Sequence, residues 1–327
     1  FSALTFGQSV VKSIQLLPDT AQNTSYTATF GEDNDYNINI PSYTNNGNGT
    51  ITDNITGLMW QEIDGGEMTF DNAITYCNSL TLGSYSDWRL PTPIEAFSIL
   101  NLQRNNPALN TTYFPSSGAE YWWTNTLQVG DNSKVWCTNS GGGIGNKPKA
   151  ETLSAGGTKS YHVRAVRNIV NPILLTNHFT DNGDGTITDN LTQLVWQKIP
   201  NTTSVTWEQA IAYAEALQIG GASDWRLPNI KELQSLNTES LSNPSVSTTY
   251  FSTIGVKNYW SSTTLLPNPN NLNSAWYWNT QFGITSYDSK TNTNYVICVR
   301  GNPTSLANHE VVKEANNIRI FPNPFTS

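Results

Sequence analysis

The segment NNGNGTITDNITGLMWQ, residues 45–61, returns as DNGDGTITDNLTQLVWQ, residues 181–197. In each segment the glycines that follow asparagine or aspartate supply the positive-φ positions of a tight turn, and Thr-Ile-Thr alternates behind them. Each segment therefore predicts a β-hairpin. Because the same hairpin is written twice, we expect two copies of one fold.

The repeat continues through most of the chain. Five further pairs of blocks match: SDWRLP at 86 and 223, NPALNTTYF at 106 with NPSVSTTYF at 243, YWWT at 121 with YWSS at 259, KVWCTN at 134 with SAWYWN at 274, and AVRN at 165 with CVRG at 298. The spacing between partners drifts by a few residues, which indicates short insertions in surface loops. We assign the copies to residues 41–170 and 171–303.

Two helices are predicted in each copy. Thr206 with Gln209 has the pattern of a capping box. The apolar residues behind it share one face: Trp207, Ala210, Ile211, Ala214 and Leu217, matched in the first copy by Phe70, Ala73, Ile74, Cys77 and Leu80. A second short helix is predicted after the cap Thr92 and from Asn229 through Leu236. The remaining segments alternate aromatic or β-branched residues with Thr, Ser and Asn, which indicates short antiparallel strands, and the fold class is α+β.

The SDWRLP blocks place an acid and a base on either side of a tryptophan. Because the triplet recurs in both copies beside Leu-Pro, we expect a structural role. In this interpretation the arginine pairs with a carboxylate or with backbone carbonyls, and the tryptophan fills the core. Trp60 and Trp196, which end the hairpin segments, are expected to be core residues as well.

Composition and charge limit the classes of partner. The chain has 25 acidic and 17 basic residues and a net charge of -8, so long-range electrostatics oppose nucleic acid and anionic lipid. No apolar run reaches the roughly 18 residues of a membrane-spanning helix. Charged residues make up only 13% of the chain, and polar loops with many tryptophans are typical of β-rich extracellular proteins.

The blocks TDNGDGTITDNLTQLVWQ, SDWRLPNIKELQSL, YWSS and YVICVRG, together with the helix that begins Thr-Trp at Thr206, resemble the Lcl C-terminal domain family. The segment LPDTAQNTSYTATFGEDNDY, residues 17–36, is similar to the lead-in that often precedes such domains. The resemblance implies a fold similar to C-type lectins and formylglycine-generating enzymes. We therefore expect two tandem C-type-lectin-like domains, each with an N-terminal hairpin, two helices, a small antiparallel sheet and long loops.

Both ends of the sequence indicate export. FSALTFGQ, residues 1–8, is typical of the remnant of a secretory signal peptide, with a short edge strand as the alternative. Residues 9–40 are the lead-in segment. NIRIFPNPFTS, residues 317–327, resembles the start of the C-terminal sorting domain of type IX secretion, and residues 304–316 are expected to be a linker. These patterns predict a secreted protein or one on a bacterial cell surface.

The sequence has three cysteines. In the lectin-like fold implied by the resemblance, a disulfide joins the first helix to the last strand, and Cys77 and Cys298 occupy these two places in different copies. Their counterparts are Ala214 and Ala165. If each copy has its own core, Cys77 and Cys298 lie too far apart to bond. We expect buried free thiols, with a Cys77–Cys137 bridge as the alternative.

Catalytic motifs are missing from the sequence. The histidines have no metal-ligand spacing, and no nucleophile elbow, Walker loop or dinucleotide fingerprint occurs. The paired-cysteine site of formylglycine-generating enzymes is absent too, so neither an enzyme nor a cofactor is expected. SGGGIG at 140–145 lacks the strand-to-helix context of a phosphate loop and predicts a flexible loop. Structural calcium at the second hairpin stays open beside a plain turn, with Asn182, Asp184 and Asp189 as candidate ligands.

Ligand contacts are expected where the two copies differ, in WCTNSGGGIGNKPKAETLSAGGTKS and WYWNTQFGITSYDSKTNTN. The candidates are Trp122, Trp123, Trp136, Lys147, Lys149, Trp276, Tyr277 and Trp278. Aromatic faces stack on sugar C–H groups, while polar side chains bind hydroxyls. We expect a surface or secreted binding protein, an adhesin for an extracellular glycan or other polymer. The alternative is a self-associating subunit of a surface layer or extracellular fibre, and an enzyme is the least supported class.

Overall fold

A computed structural model describes residues 9–150, 161–266 and 272–301, together with the backbone of strands at 309–314 and 317–322. The predicted signal-peptide remnant, residues 1–8, lies outside the described residues. The lead-in contributes β1 (Val10–Lys12) and a single 3-10 turn (Asp33–Asp35).

The first copy, called repeat 1, contains two helices and eight strands. In chain order its elements are β2 (Tyr43–Asn45), β3 (Thr50–Asp53), β4 (Leu58–Gln61), α1 (Phe70–Ser79), α2 (Pro93–Ser98), β5 (Tyr121–Gln128), β6 (Asp131–Asn139), β7 (Ile144–Pro148), β8 (Tyr161–His162) and β9 (Val166–Asn168). The hairpin is extended to an antiparallel sheet in the order β2-β3-β4-β9. A second sheet has the order β7-β6-β5-β8.

The second copy, called repeat 2, follows β10 (Ile173–Leu175), which pairs with β1. Its elements are β11 (Phe179–Asp181), β12 (Thr186–Asp189), β13 (Val195–Gln197), α3 (Trp207–Glu215), α4 (Ile230–Ser235), β14 (Asn258–Thr264), β15 (Ser274–Asn279), β16 (Ile284–Ser289) and β17 (Val299–Arg300). Its sheets have the orders β11-β12-β13-β17 and β14-β15-β16. The tandem α+β organisation is therefore confirmed.

A last hairpin pairs β18 (His309–Glu314) with β19 (Asn317–Pro322). The first of these strands lies inside the segment predicted as a linker, and the second lies inside the predicted start of the sorting domain. The rest of the predicted linker lies largely outside the described residues.

The helices begin where the capping residues predict. Thr92 accepts a hydrogen bond from the backbone N–H of Glu95, whose carboxylate accepts one from the N–H of Thr92. Asn229 and Glu232 form the same box at α4. These caps satisfy backbone donors that the first helical turn leaves open. The predicted apolar faces of α1 and α3 are buried in their centres, Leu80 and Leu217 at their ends are partly buried, and Ile74 is exposed.

The SDWRLP blocks join helix, strand and core in both repeats. Trp88 and Trp225 are buried. Arg226 binds Glu232 through two charged hydrogen bonds of 2.5 and 2.6 Å, and Arg89 binds its counterpart Glu95 in the same way. The predicted structural role is confirmed.

The aspartates of the two blocks make a separate contact that the sequence does not predict. Asp224 binds Arg300 of β17, with 2.8 Å between Oδ1 and Nε. Asp87 binds Arg167 of β9 in the matching position. Each block is therefore tied to the last strand of its own repeat.

The two repeats share one apolar core in addition to a core of their own. One cluster of buried apolar residues contains Phe97 and Leu100 of repeat 1 together with Leu236 and Trp276 of repeat 2. Equivalent elements meet at this junction, since α2 contacts α4 and β7 contacts β16. The Ile144 N–H donates to Thr285 Oγ1 at 2.9 Å. Each repeat also has a smaller cluster of its own around its first helix.

The glycine segment 140–145, predicted to be a flexible loop, is part of this junction. Gly142 has φ of +101°, a region that side chains disfavour. A Cβ added to Gly143 would lie 3.4 Å from the Trp276 ring. The glycines therefore let the second repeat approach the backbone of the first.

The lead-in lies between the two repeats. The Gln22 amide donates to the carbonyls of Leu102 and Thr264, at 3.2 and 2.6 Å, and accepts from the N–H of Thr264. The fully buried Lys231 of α4 donates to the backbone carbonyl of Asp19 at 2.7 Å. The lead-in thus connects both repeats by hydrogen bonds that water cannot reach.

All three cysteines lie within the described residues, and all are buried without a disulfide. Cys77 and Cys137 belong to the apolar cluster of repeat 1, and Cys298 belongs to that of repeat 2. Burial raises the pKa of the Cys77 thiol to about 12. The prediction of buried thiols is confirmed, and the alternative Cys77–Cys137 bridge is not formed.

Candidate functional site

The five candidate tryptophans are core residues and not surface contacts. Their exposed fractions run from 0 to 6%, for Trp122, Trp123, Trp136, Trp276 and Trp278. Alternation along a strand normally separates buried side chains from exposed ones. It does not do so here, because both faces of β5 and β15 are covered where the tryptophans lie. Stacking of these rings on a sugar is therefore incompatible with the folded structure, and this part of the predicted site is corrected.

The three other candidates have different positions. Lys147 lines a groove at the junction of the repeats. Lys149 is partly buried, and its carbonyl accepts from the N–H of Phe70. Tyr277 is partly buried against the apolar cluster of repeat 2. Of the eight predicted residues, Lys147 lines this groove and the other seven do not.

The groove has a volume of about 210 Å³. β5, β6 and β7 of repeat 1 form one side, and β16 of repeat 2 forms the other. Its lining residues are Tyr121, Cys137, Asn139, Ile144, Gly145, Asn146, Lys147, Ile284 and Thr285. Two other pockets, one beside α2 and one beside the lead-in, hold little more than one water molecule.

Small residues create the groove in repeat 1. Cys137 of β6 pairs with Gly145 of β7 on its floor. The pair with the same register in repeat 2 is Tyr277 with Ser286. A phenol ring thus stands in the second repeat at the register position where the first has a thiol.

The groove combines an aromatic ring with polar side chains. The Lys147 ammonium lies 5.2 Å from the centre of the Tyr121 ring, and that ring stacks on Tyr161 at 4.8 Å. Asn139 and Asn146 add two amides, and all four lining side chains are partly exposed. Such a surface can bind a polar ligand that also presents an apolar face.

The candidate calcium ligands are held in local turns. Asp184 accepts from the N–H and the hydroxyl of Thr186, at 3.0 and 2.6 Å. Asn182 hydrogen-bonds Thr186 and Thr188. Asp189 is buried and accepts from the N–H of Leu191 at 2.9 Å. No group of three or more His, Cys, Asp or Glu side chains that could hold a metal occurs among the described residues.

A buried charged cluster around Asp64 was missed by sequence reasoning. Its carboxylate accepts from Ser117 and from Trp122 Nε1, and it lies 2.9 Å from His162 Nδ1. Burial alone raises the pKa of Asp64, but the hydrogen bonds from His162 and Ser117 and the nearby Arg164 hold it well below the usual range. In a nucleophilic triad the serine hydroxyl donates to the histidine, which in turn binds the aspartate. Here Ser117 donates directly to Asp64, so the cluster does not have the arrangement of a triad.

Repeat 2 buries polar side chains where repeat 1 has apolar ones. The apolar residues are Phe97, Leu100 and Ala108, and their polar counterparts are Gln234, Asn237 and Ser245. Neither amide atom of Gln234 has a hydrogen-bond partner among the described residues. A buried polar atom without a partner destabilises the fold, typically by about 1–3 kcal/mol.

The geometry defines a tandem pair of α+β domains with a shared core and one groove between them. Residues 49–167 and 185–300 each match the model of the Lcl C-terminal domain, and the chain therefore belongs to the Lcl C-terminal domain family. A comparison with curated proteins finds no match. In the described part of the chain, no helix is long and apolar enough to cross a membrane.

Proposed function

We propose that this protein is an extracellular binding protein whose ligand, a glycan, binds in the groove between the repeats. The observation that carries the proposal is the groove itself. It places the partly exposed Tyr121 ring beside Lys147, Asn139 and Asn146 in a space of about 210 Å³. A sugar presents oxygens that can accept hydrogen bonds from the amides and the ammonium, and C–H groups that can pack at the edge of the ring.

The asymmetry of the two repeats supports this proposal. A space needed only for folding would be expected in both copies, whereas the register position of Cys137 in the floor is taken in repeat 2 by the much larger Tyr277. The net charge of -8 favours a neutral glycan over a strongly anionic polymer. The secreted or surface location, the C-type-lectin-like fold and the sorting role of the C-terminal segment stay predictions.

The experiment is a glycan array with the whole chain and two variants. Gly145→Leu fills the groove, since a Cβ at this position already lies 3.9 Å from Ile284 Cγ2. The matched control is Ser286→Leu, which changes the register-equivalent residue of β16 that does not line the groove. We expect Gly145→Leu to abolish binding and Ser286→Leu to retain it.

Other results of the array would count against the proposal. Absence of binding by the wild-type chain contradicts a glycan ligand. Binding that persists in Gly145→Leu places the ligand elsewhere. Circular dichroism and thermal melting of both variants show that any loss does not come from unfolding.

A second candidate function, a subunit of a surface assembly, is favoured by a different feature. The two-stranded β1–β10 ribbon exposes Val11, Ile173 and Leu174, with exposed fractions of 54, 57 and 69%. Exposed apolar side chains on a short ribbon with open edges can pair with the same ribbon of another copy. The groove remains the stronger observation, because the ribbon is only three residues long on each side.

Light scattering coupled to size-exclusion chromatography tests this second candidate. If the ribbon mediates assembly, the apparent mass rises with concentration, and Leu174→Ser removes the rise. The control is Ile199→Ser, which changes an isoleucine of similar exposure outside the ribbon. A mass equal to one chain at all concentrations contradicts the assembly.

A further inference from the structure

The polar side chains that line the groove offer a ligand more hydrogen-bond donors than acceptors. Asn139 Oδ1 already accepts from the N–H groups of Gly141 and Gly143, at 2.9 and 3.1 Å. Its free capacity is therefore the donor side of its amide. Lys147 carries an ammonium group, which only donates. A complementary ligand must present oxygen atoms that accept.

Two further side chains that line the groove, Asn146 and Thr285, change the excess of donors over acceptors only slightly. The Asn146 amide makes no side-chain hydrogen bond to any described residue, so that it can donate and accept. Thr285 Oγ1 accepts from the N–H of Ile144 at 2.9 Å. The groove thus remains richer in donors than in acceptors.

The wall opposite Tyr121 is apolar. Ile284 comes from β16, and its Cγ2 lies 3.9 Å from the position of a Cβ on Gly145. The isoleucine side chain therefore projects over the floor of the groove and is itself partly exposed. A small apolar group that entered beside it would be removed from water.

We infer that the ligand group bound in the groove is an N-acetylated sugar, with the acetamido methyl against Ile284 and the acetamido carbonyl facing Asn139, Asn146 and Lys147. The inference rests on the proposed glycan-binding function. The acetamido group joins a strong acceptor to a methyl group. A sugar hydroxyl at the same carbon lacks the methyl, and a carboxylate accepts hydrogen bonds but has no apolar part.

The expected preference follows from these two contacts. One buried methyl group corresponds to about a fourfold gain in affinity. One additional neutral hydrogen bond corresponds to about a fivefold gain. The acetamido sugar is therefore expected to bind about twentyfold more tightly than the parent hexose.

Isothermal titration calorimetry with the whole chain measures this preference on matched pairs of methyl glycosides. The pairs are N-acetylglucosamine with glucose and N-acetylgalactosamine with galactose. At least one pair is expected to show the preference. Ile284→Ala, which removes the Cγ2 methyl that lies over the floor together with the other apolar arm, should reduce affinity for the acetamido sugar about fourfold and leave the parent hexose unchanged, with thermal melting as the check that the variant is folded.

Three results would overturn the inference, and they can be told apart. Equal affinity within both pairs removes the acetamido contact and leaves glycan binding intact. A preference that Ile284→Ala does not alter places the acetyl group elsewhere. No binding of these glycosides or of any glycan on the array removes the proposed function together with the inference.

Discussion

The buried Arg226–Glu232 pair is expected to stabilise the fold far more than the exposed pair that Asp224 of the same sequence block forms with Arg300. The Arg226 and Glu232 side chains are 4 and 6% exposed, whereas Arg300 and Asp224 are 32 and 39% exposed. Glu232→Gln removes the negative charge and leaves the guanidinium buried without its partner. Asp224→Asn removes a charge whose partner reaches water.

The structure sets the size of the two effects. Breaking a buried, hydrogen-bonded ion pair by changing one partner typically costs about 3–5 kcal/mol. Glu232 also accepts from the N–H of Asn229 at 2.9 Å, so that the cap of α4 is weakened by the same change. An exposed pair contributes about 0–1 kcal/mol. We expect Glu232→Gln to lower the free energy of unfolding by about 3–5 kcal/mol and Asp224→Asn by less than about 1 kcal/mol.

Repeat 1 supplies an intermediate case within the same molecule. Glu95 is fully buried, but the Arg89 side chain is 32% exposed and can be solvated when its partner is changed. Glu95→Gln should therefore fall between the other two variants. Urea denaturation followed by tryptophan fluorescence measures all three, and m values equal to that of the wild type show that the unfolding transition is unchanged. An effect of Asp224→Asn as large as that of Glu232→Gln would refute the argument from burial.

Three more changes test other parts of the fold. Burial raises the pKa of Asp19 to about 6, so between pH 6 and 4 the folded chain holds a proton on Asp19 that the unfolded chain releases. This group should therefore raise the free energy of unfolding by up to about 3 kcal/mol as the pH falls from 7 to 4. Denaturation measured across that range should show a smaller rise for Asp19→Asn. Gly142→Ala places a Cβ 2.6 Å from Leu102 at a φ of +101° and should lower the free energy of unfolding by about 1–3 kcal/mol. The control Gly145→Ala should change the melting temperature little. Equal losses of stability in the two variants would contradict the role of Gly142. Gln234→Met removes two buried amide atoms that lack partners and should stabilise the chain by about 1–2 kcal/mol, and a loss of stability would show that the amide has a partner.

The local features of the fold could be predicted from the sequence because their causes are local. Thr92 and Asn229 cap their helices through hydrogen bonds that span three residues. The glycines of the hairpin turns, such as Gly47 and Gly183, take the positive φ that the sequence predicts. Two copies of one pattern also gave each assignment an internal check.

The site could be predicted only in part because its causes are not local. Trp122 and Trp123 are adjacent in β5, and both are buried, since one faces the shared core and the other faces the core of repeat 1. The groove depends on β7 meeting β16, two strands that are distant in the sequence. A comparison of the two copies shows that Cys137 and Gly145 are replaced by the larger Tyr277 and Ser286. The sequence alone does not show that these two positions pair across neighbouring strands, so the replacement does not predict a groove.

The contact between equivalent elements has a consequence for the origin of the chain. When α2 meets α4 and β7 meets β16, each repeat offers the other the same surface that it receives, as the subunits of a symmetric dimer do. A single-copy ancestor would have been a homodimer, in which any change at the junction appears twice. In a single chain that carries both copies, a change at the junction falls on one side alone. One half could then lose bulk at Cys137 and Gly145 while the other kept a tyrosine, and one junction could carry a groove on one side alone.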